Sequence, residues 1–409
     1  MLRAKYSSVN SKRNWHSQNE AIAAKESRLM KSAYQGIVNG KIIVDDDIVE
    51  GKVLLFDKKI ISLADEVDES VELIDAKGAY VSAGFIDIHI HGSGGADIMD
   101  ATPEALEKIS TTLLQTGTTS FLATTMTMST EEIDKALYNV QQHAQKVSGA
   151  NILGIHLEGP FINAKKHGAQ DKAYIQTPNF ALIGHYMDQI KMITIAPEVE
   201  GAEAFIKEMY RKFPHIVLSI GHSDAGFDQA KESFGWGISH ATHLFNAMNG
   251  YHHREPGIAG AVFDSSVTCD IIPDLVHTHP SALELTYRVK QDRLIVVTDA
   301  MRAGCMRNGT YELGGQKVVV KDDRAVLQDG TLAGSVLRLN EGLLKLKEHT
   351  SMSLIEVVNS ATKLPAQKLG IAKGELKTGY DADIVIFDED FSIMSTIVGG
   401  RVKYQSPNR

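Results

Sequence analysis

Between Val81 and Ala300 the chain alternates short runs of aliphatic and β-branched residues with longer runs of helical spacing. Eight runs read as strands: VSAGFIDIHIHG, TTSFLAT, ILGIHLEG, MITIAPE, IVLSIGHS, GISHATH, SVTCDIIPD and RLIVVTDA. Stretches such as PEALEKISTTLLQTG and TEEIDKALYNVQQHAQ separate most of them. Alternation of this kind favours a parallel sheet, and eight repeats predict an α/β fold of the (β/α)8 TIM-barrel type.

In such a barrel the carboxyl ends of the strands converge on one mouth. Here those ends carry His89 and His91 on the first strand, Glu158 on the third, His222 on the fifth, His243 on the sixth and Asp299 on the eighth. Taken singly, each reads equally well as a satisfied polar residue. Six at the same edge predict a metal centre. Strand alternation places Asp87, His89 and His91 on one face, just before Gly92, Gly94 and Gly95.

Imidazole nitrogen with carboxylate oxygen suits one or two divalent ions of zinc, iron, cobalt or manganese. Glu158 could bridge two, with His89 and His91 on one and His222 and His243 on the other. Such a centre acidifies water and polarises a carbonyl, which is hydrolytic chemistry. Asp299 would ligate, or take the proton of the attacking water and pass it to a leaving amine. The fourth strand, MITIAPE, ends without a lysine, so a carbamylated-lysine bridge has no source there.

A chain of 409 residues accommodates the barrel and a second small domain. Short β-prone runs fill Gly36–Ala79, including an Asn39-Gly40 hairpin signal, and return in the last 30 or so residues. We therefore expect 36–80 and 374–409 to form one small β-sandwich and 81–373 the catalytic barrel. Residues 1–35 are basic, polar and without an apolar block; they read as an extension of little order, with any helix over Glu20–Tyr34. A net charge of −9 argues against a general nucleic-acid binder while leaving room for a local phosphate pocket. No apolar run approaches the roughly 20 residues of a membrane span. Two cysteines, Cys269 and Cys305, give no disulfide framework and fit a cytoplasmic protein.

The β-rich ends, the HIHG strand and the segments HLEGPF, GHS, HATHLFNAM, REPGIAGA and TDA together resemble the N-acetylglucosamine-6-phosphate deacetylases, a family of the amidohydrolase superfamily. The resemblance runs from about Gly36 to the C-terminus. It implies hydrolysis of the acetamide of N-acetylglucosamine 6-phosphate to glucosamine 6-phosphate and acetate, in a homodimer. On this resemblance Glu158, His222 and His243 are the principal metal ligands and Asp299 the acid/base, while His89 and His91 allow a second ion. Asn246, Ala247 and His277 are implied substrate contacts, and Arg254 is implied to grip the phosphate from a neighbouring subunit. One departure stands out: where many members place a sugar-touching histidine, this chain reads HGAQ, with Gln170 there and His167 three residues earlier; an amide can still bind a sugar hydroxyl but cannot serve as a charged imidazole. The TLAGS segment, Thr331–Ser335, is expected to open a helix, either as a plain helix start or as a source of backbone donors for the ligand. A deacetylase for another amino-sugar phosphate, such as N-acetylgalactosamine 6-phosphate, would show nearly the same ligands, whereas the presence of all six argues against a scaffold that kept the barrel and lost the chemistry.

Overall fold

The computed structural model describes residues 34–407; nearly all of the expected N-terminal extension lies outside them. Eight strands stand side by side in chain order: β1 (Phe85–Ile90), β2 (Thr118–Thr124), β3 (Asn151–Glu158), β4 (Ile190–Ile195), β5 (Val217–Ile220), β6 (His240–Ala241), β7 (Thr268–Ile271) and β8 (Leu294–Val296). Every neighbouring pair is parallel. A parallel bridge from Ile90 to Ala300 brings the chain just beyond β8 against β1, so the sheet curls into the barrel that the alternation predicts.

Two apolar sets alternate along these strands. Phe121, Ile193, Leu218 and Leu294 pack outward with helix residues such as Leu106, Ile133 and Leu137. Their neighbours Leu122, Met192, Val217 and Ile295 form a separate cluster that fills the interior. Burial on both faces explains why the strands read as continuous hydrophobic runs. The surrounding helices start where the sequence caps them. Thr102 precedes Pro103–Leu113, which has proline in its first turn, and Ser129 and Glu132 form a capping box on Thr130–His143.

Both chain ends build a second body, a β-sandwich of two sheets. One has six strands in the order 401–405, 393–398, 384–387, 80–83, 41–44 and 47–49; the other has four, in the order 60–64, 53–56, 35–38 and 72–75. Ile37, Leu54 and Phe56 of the smaller sheet meet Ile42, Val81, Ile384 and Ile397 of the larger in a common core. Asp383 fastens the sandwich to the barrel, accepting from Lys373 Nζ at 2.7 Å and from Asn151 Nδ2, at the start of β3, at 3.2 Å.

Three local expectations are corrected. The run Val81–Gly92 is two strands, since Tyr80–Ala83 pairs within the sandwich and Phe85–Ile90 within the barrel. Gly84 makes the break, and a Cβ there would fall 2.2 Å from the Thr119 side chain. Asn39-Gly40 does not close a hairpin, because the strands on either side belong to different sheets. TLAGS is extended rather than helical: Ser335 bridges Ala300 in parallel, and the next helix begins only at Leu339.

Beyond β8 lies an element the sequence reading did not foresee. Gly309–Leu313, Gln316–Lys321 and Arg324–Val326 form a three-stranded antiparallel cap. Leu313, Val318, Val320 and Ala325 give it a core of its own with Met126 and Met301. Gly314 and Gly315, at φ 55° and 78°, make its tight turn.

Candidate active site

His89 is in β1 and His91 one residue beyond it, while Glu158 is the last residue of β3. His222, His243 and Asp299 lie two or three residues past β5, β6 and β8, where the backbone turns inward at φ 47°, 33° and 48°. Left-handed backbone is costly for side-chain-bearing residues and persists where the surroundings over-determine it. His222 is held by such surroundings: Glu198, at the end of the fourth-strand run, accepts from Ser223 Oγ at 2.7 Å, the Asp224 N–H at 2.6 Å and Asn163 Nδ2 at 2.8 Å. His243 is held by Asp270, which accepts its backbone N–H and pairs with buried His240 at 2.9 Å.

These turns bring the six side chains together. Glu158 Oε1 stands 3.2 Å from His222 Nε2 and 3.1 Å from His243 Nε2. Its other oxygen, Oε2, is 3.2 Å from His91 Nε2, and His89 Nε2 lies 3.4 Å from Oε1. Asp299 Oδ1 faces the first histidine pair, 3.2 Å from His91 and 3.6 Å from His89. Glu158 thus belongs to two candidate metal triads, one with His89 and His91 and one with His222 and His243. Asp87 does not join them; its carboxylate accepts from Thr298 Oγ1 at 2.6 Å and from the His89 N–H.

The donor set fits a divalent cation. Imidazole nitrogens face each other at 3.2 Å (His222 and His243) and 3.3 Å (His89 and His91), an arrangement in which lone pairs converge and few protons fit between them. His222 Nδ1 lies 2.9 Å from the Lys166 carbonyl, which accepts only, so Nε2 is the nitrogen left free for coordination. Burial alone would push the Glu158 carboxyl upward, but the imidazoles around it, His89 and His222 foremost, hold it well below its ordinary range. Burial likewise opposes the charge on Asp299, yet His89 and His91 keep it ionised.

The cluster forms the floor of a cavity of about 230 Å³. Gln170, Asn246, Ala247 and His277, all singled out from the sequence, line its walls. Thr331, Leu332 and Gly334 of the extended TLAGS segment also line it, as do Met126 from the loop after β2 and Leu313 from the cap, neither of which was expected as a binding residue. The glycine pair in YELGGQKVVV was the available signal for the cap turn. His277 Nδ1 donates to Asp274 Oδ2 at 2.6 Å, which leaves Nε2 for a ligand. Gln170 is in the wall, but its amide is engaged by Glu158 and by the Thr127 N–H. Arg254 is apart from the cavity, exposed in the His252–Arg254 loop beside His253.

Comparison with known proteins places this geometry. The amidohydrolase family pattern matches residues 80–403. The chain is 39% identical to an N-acetylglucosamine-6-phosphate deacetylase of Bacillus subtilis over 394 residues, 93% of this chain and 95% of that one. The solved structure of the Pasteurella multocida deacetylase of that name superposes with a TM-score of 0.87 at 30% identity, covering 91% of this chain and 100% of that chain. A mutant of the Mycobacterium smegmatis enzyme in complex with N-acetyl-D-glucosamine-6-phosphate superposes with a TM-score of 0.85 at 27% identity, with the same coverage.

Proposed function

The chain belongs to the amidohydrolase family, and from that premise we infer that it is a metal-dependent hydrolase removing the acetyl group of N-acetylglucosamine 6-phosphate, giving glucosamine 6-phosphate and acetate. The observation that carries the reading is Glu158 shared between two imidazole pairs, with the Asp299 carboxylate facing one of them at the bottom of a cavity sized for a small molecule.

His89, His91, Glu158, His222 and His243 would hold one or two ions of zinc, iron, cobalt or manganese type. A divalent cation there lowers the pKa of water and polarises the amide carbonyl. Asp299, kept ionised by its imidazole neighbours, takes the proton of the attacking water and hands it to the sugar nitrogen as the C–N bond breaks. The amine then departs neutral and the acyl group leaves as acetate.

His277, steadied by Asp274, and Asn246 supply polar contacts on the far wall. Arg254 suits a phosphate through its guanidinium fork. Its exposure outside its own cavity favours delivery to a second chain's site in a homodimer. Among the described residues no helix is long and apolar enough to cross a membrane, and the cysteine usage favours the cytoplasm.

Acetate release tests the reading, measured with N-acetylglucosamine 6-phosphate, its galacto epimer and unphosphorylated N-acetylglucosamine, before and after chelation. The first substrate should be strongly preferred, and chelation followed by metal addition should abolish and restore turnover. Equal turnover of all three, or indifference to chelation, would refute it.

A further inference from the structure

We propose that Gln170 is a positioning residue of the metal centre, locking the Glu158 carboxylate in the one roll that serves both imidazole pairs; the proposal rests on the hydrolase reading above. The resemblance alone implies a sugar contact at this position. The geometry points elsewhere.

The Gln170 side chain is buried, at 4% exposure. Its Nε2 donates to Glu158 Oε2 at 2.9 Å, and its Oε1 accepts the Thr127 backbone N–H at 2.6 Å. A backbone N–H can only donate, so the amide oxygen must face Thr127 and the NH2 must face Glu158. The amide is thereby fixed before any ligand arrives.

The constraint falls on a soft degree of freedom. Rotation of a glutamate carboxylate about its last torsion has broad minima. Here the two oxygens do different work, Oε1 meeting His222 and His243, with His89 at 3.4 Å, and Oε2 meeting His91. A donor on Oε2 alone distinguishes them and holds the oxygen assignment on which a shared carboxylate depends.

The loop carrying Gln170 is itself fastened. Gln316 Nε2 of the cap donates to the Ala169 carbonyl at 2.6 Å, and His167 Nδ1 meets the Gln170 carbonyl at 2.8 Å. Two hydrogen bonds and one residue step therefore connect the cap to Glu158. Gly168 supplies the left-handed turn of this loop, at φ 58°.

The test compares Gln170→Met, which keeps length without a donor, and Gln170→Ala with the native chain. Zinc bound per chain is counted after dialysis against chelator-buffered zinc, unfolding of the metal-free proteins is followed, and kcat and KM are measured separately. We expect metal-free Gln170→Met to fold and unfold cooperatively, at somewhat lower stability because the buried Thr127 N–H loses its acceptor. Zinc affinity at one site should weaken about 10- to 100-fold, as for other residues that orient ligands. KM should stay within about twofold while kcat falls with the lost ion. A raised KM with native zinc content and native kcat would make Gln170 a sugar contact and overturn the proposal, as would unchanged values throughout. The zinc count needs no substrate, so it decides the role of Gln170 even if the native chain released no acetate.

Discussion

Asp299 Oδ1 lies 3.2 Å from His91 Nε2, although the two residues are separated by most of the barrel in sequence. The Ile90–Ala300 bridge between their neighbours makes the approach possible, so barrel closure also positions the proposed proton-transfer group. Asp299→Asn keeps an oxygen in the same place and removes the base. Its kcat should fall about 10²- to 10⁴-fold, the usual size of a general acid/base effect, with zinc content near native. Acetate release and elemental analysis on the same sample check this, and near-native turnover would remove Asp299 from the mechanism.

Because Glu158 faces both histidine pairs, metal loss should be graded by which residue is removed. His89→Ala should retain one fewer ion than the native chain, with the His222–His243 triad still loaded. Glu158→Ala should lose both, since each triad depends on it. Elemental analysis after extensive dialysis distinguishes these outcomes. An unchanged stoichiometry in His89→Ala would confine the centre to a single ion.

How much of this could be read beforehand follows from how local each signal is. Hydrophobic runs ending in His or Glu expose barrel and ligands together, because strand burial and ligand placement both follow position along a strand. The division of Val81–Gly92 at Gly84 was hidden because it answers to Thr119, a neighbour met only after folding. TLAGS resembled a helix start in isolation, and the edge offered by Ala300 draws it into extended pairing instead. Gln170 was placed at the sugar by the resemblance alone, and Thr127, which orients its amide instead, is distant in sequence. The cap leaves a fainter trace, because its strands are short and only the Gly314-Gly315 turn between Gly309–Leu313 and Gln316–Lys321 marks it in the sequence.

His277 presents a prediction about phosphate. Asp274 Oδ1 accepts the backbone N–H groups of Val276 and His277, and Oδ2 accepts His277 Nδ1–H. Burial would raise the Asp274 carboxyl, but these bonds and the His277 charge bring it below its ordinary range, so it remains an acceptor. Removing the ring in His277→Ala deletes a contact that, to a charged group, is worth about 1.5–3 kcal/mol. The KM for N-acetylglucosamine 6-phosphate should then rise roughly 10- to 100-fold. The unphosphorylated sugar should be affected little. Equal losses on both sugars would assign His277 to the ring rather than to the phosphate.

Asp97 offers a test of stability independent of turnover. It caps the short turn Ile98–Asp100 through Oδ1, which accepts the Met99 N–H at 3.0 Å, while its buried Oδ2 has no hydrogen-bond partner. Burial raises its pKa from 3.8 to about 6, with the charges of Arg302 and His91 only partly offsetting the effect. The folded state therefore holds this proton more tightly than the unfolded chain does. The associated stability is present in full below 3.8 and is lost as pH rises through about 6. Above that window the charged carboxylate costs about 1–3 kcal/mol, at 1.36 kcal/mol per pKa unit. Asp97→Asn retains the capping oxygen and cannot ionise, and Asn serves as well as Asp at a helix start. Thermal unfolding should show the variant more stable than the native chain at about pH 7.5, with the gap narrowing toward about pH 4. A gap independent of pH would mean that the Asp97 carboxyl does not ionise across this window.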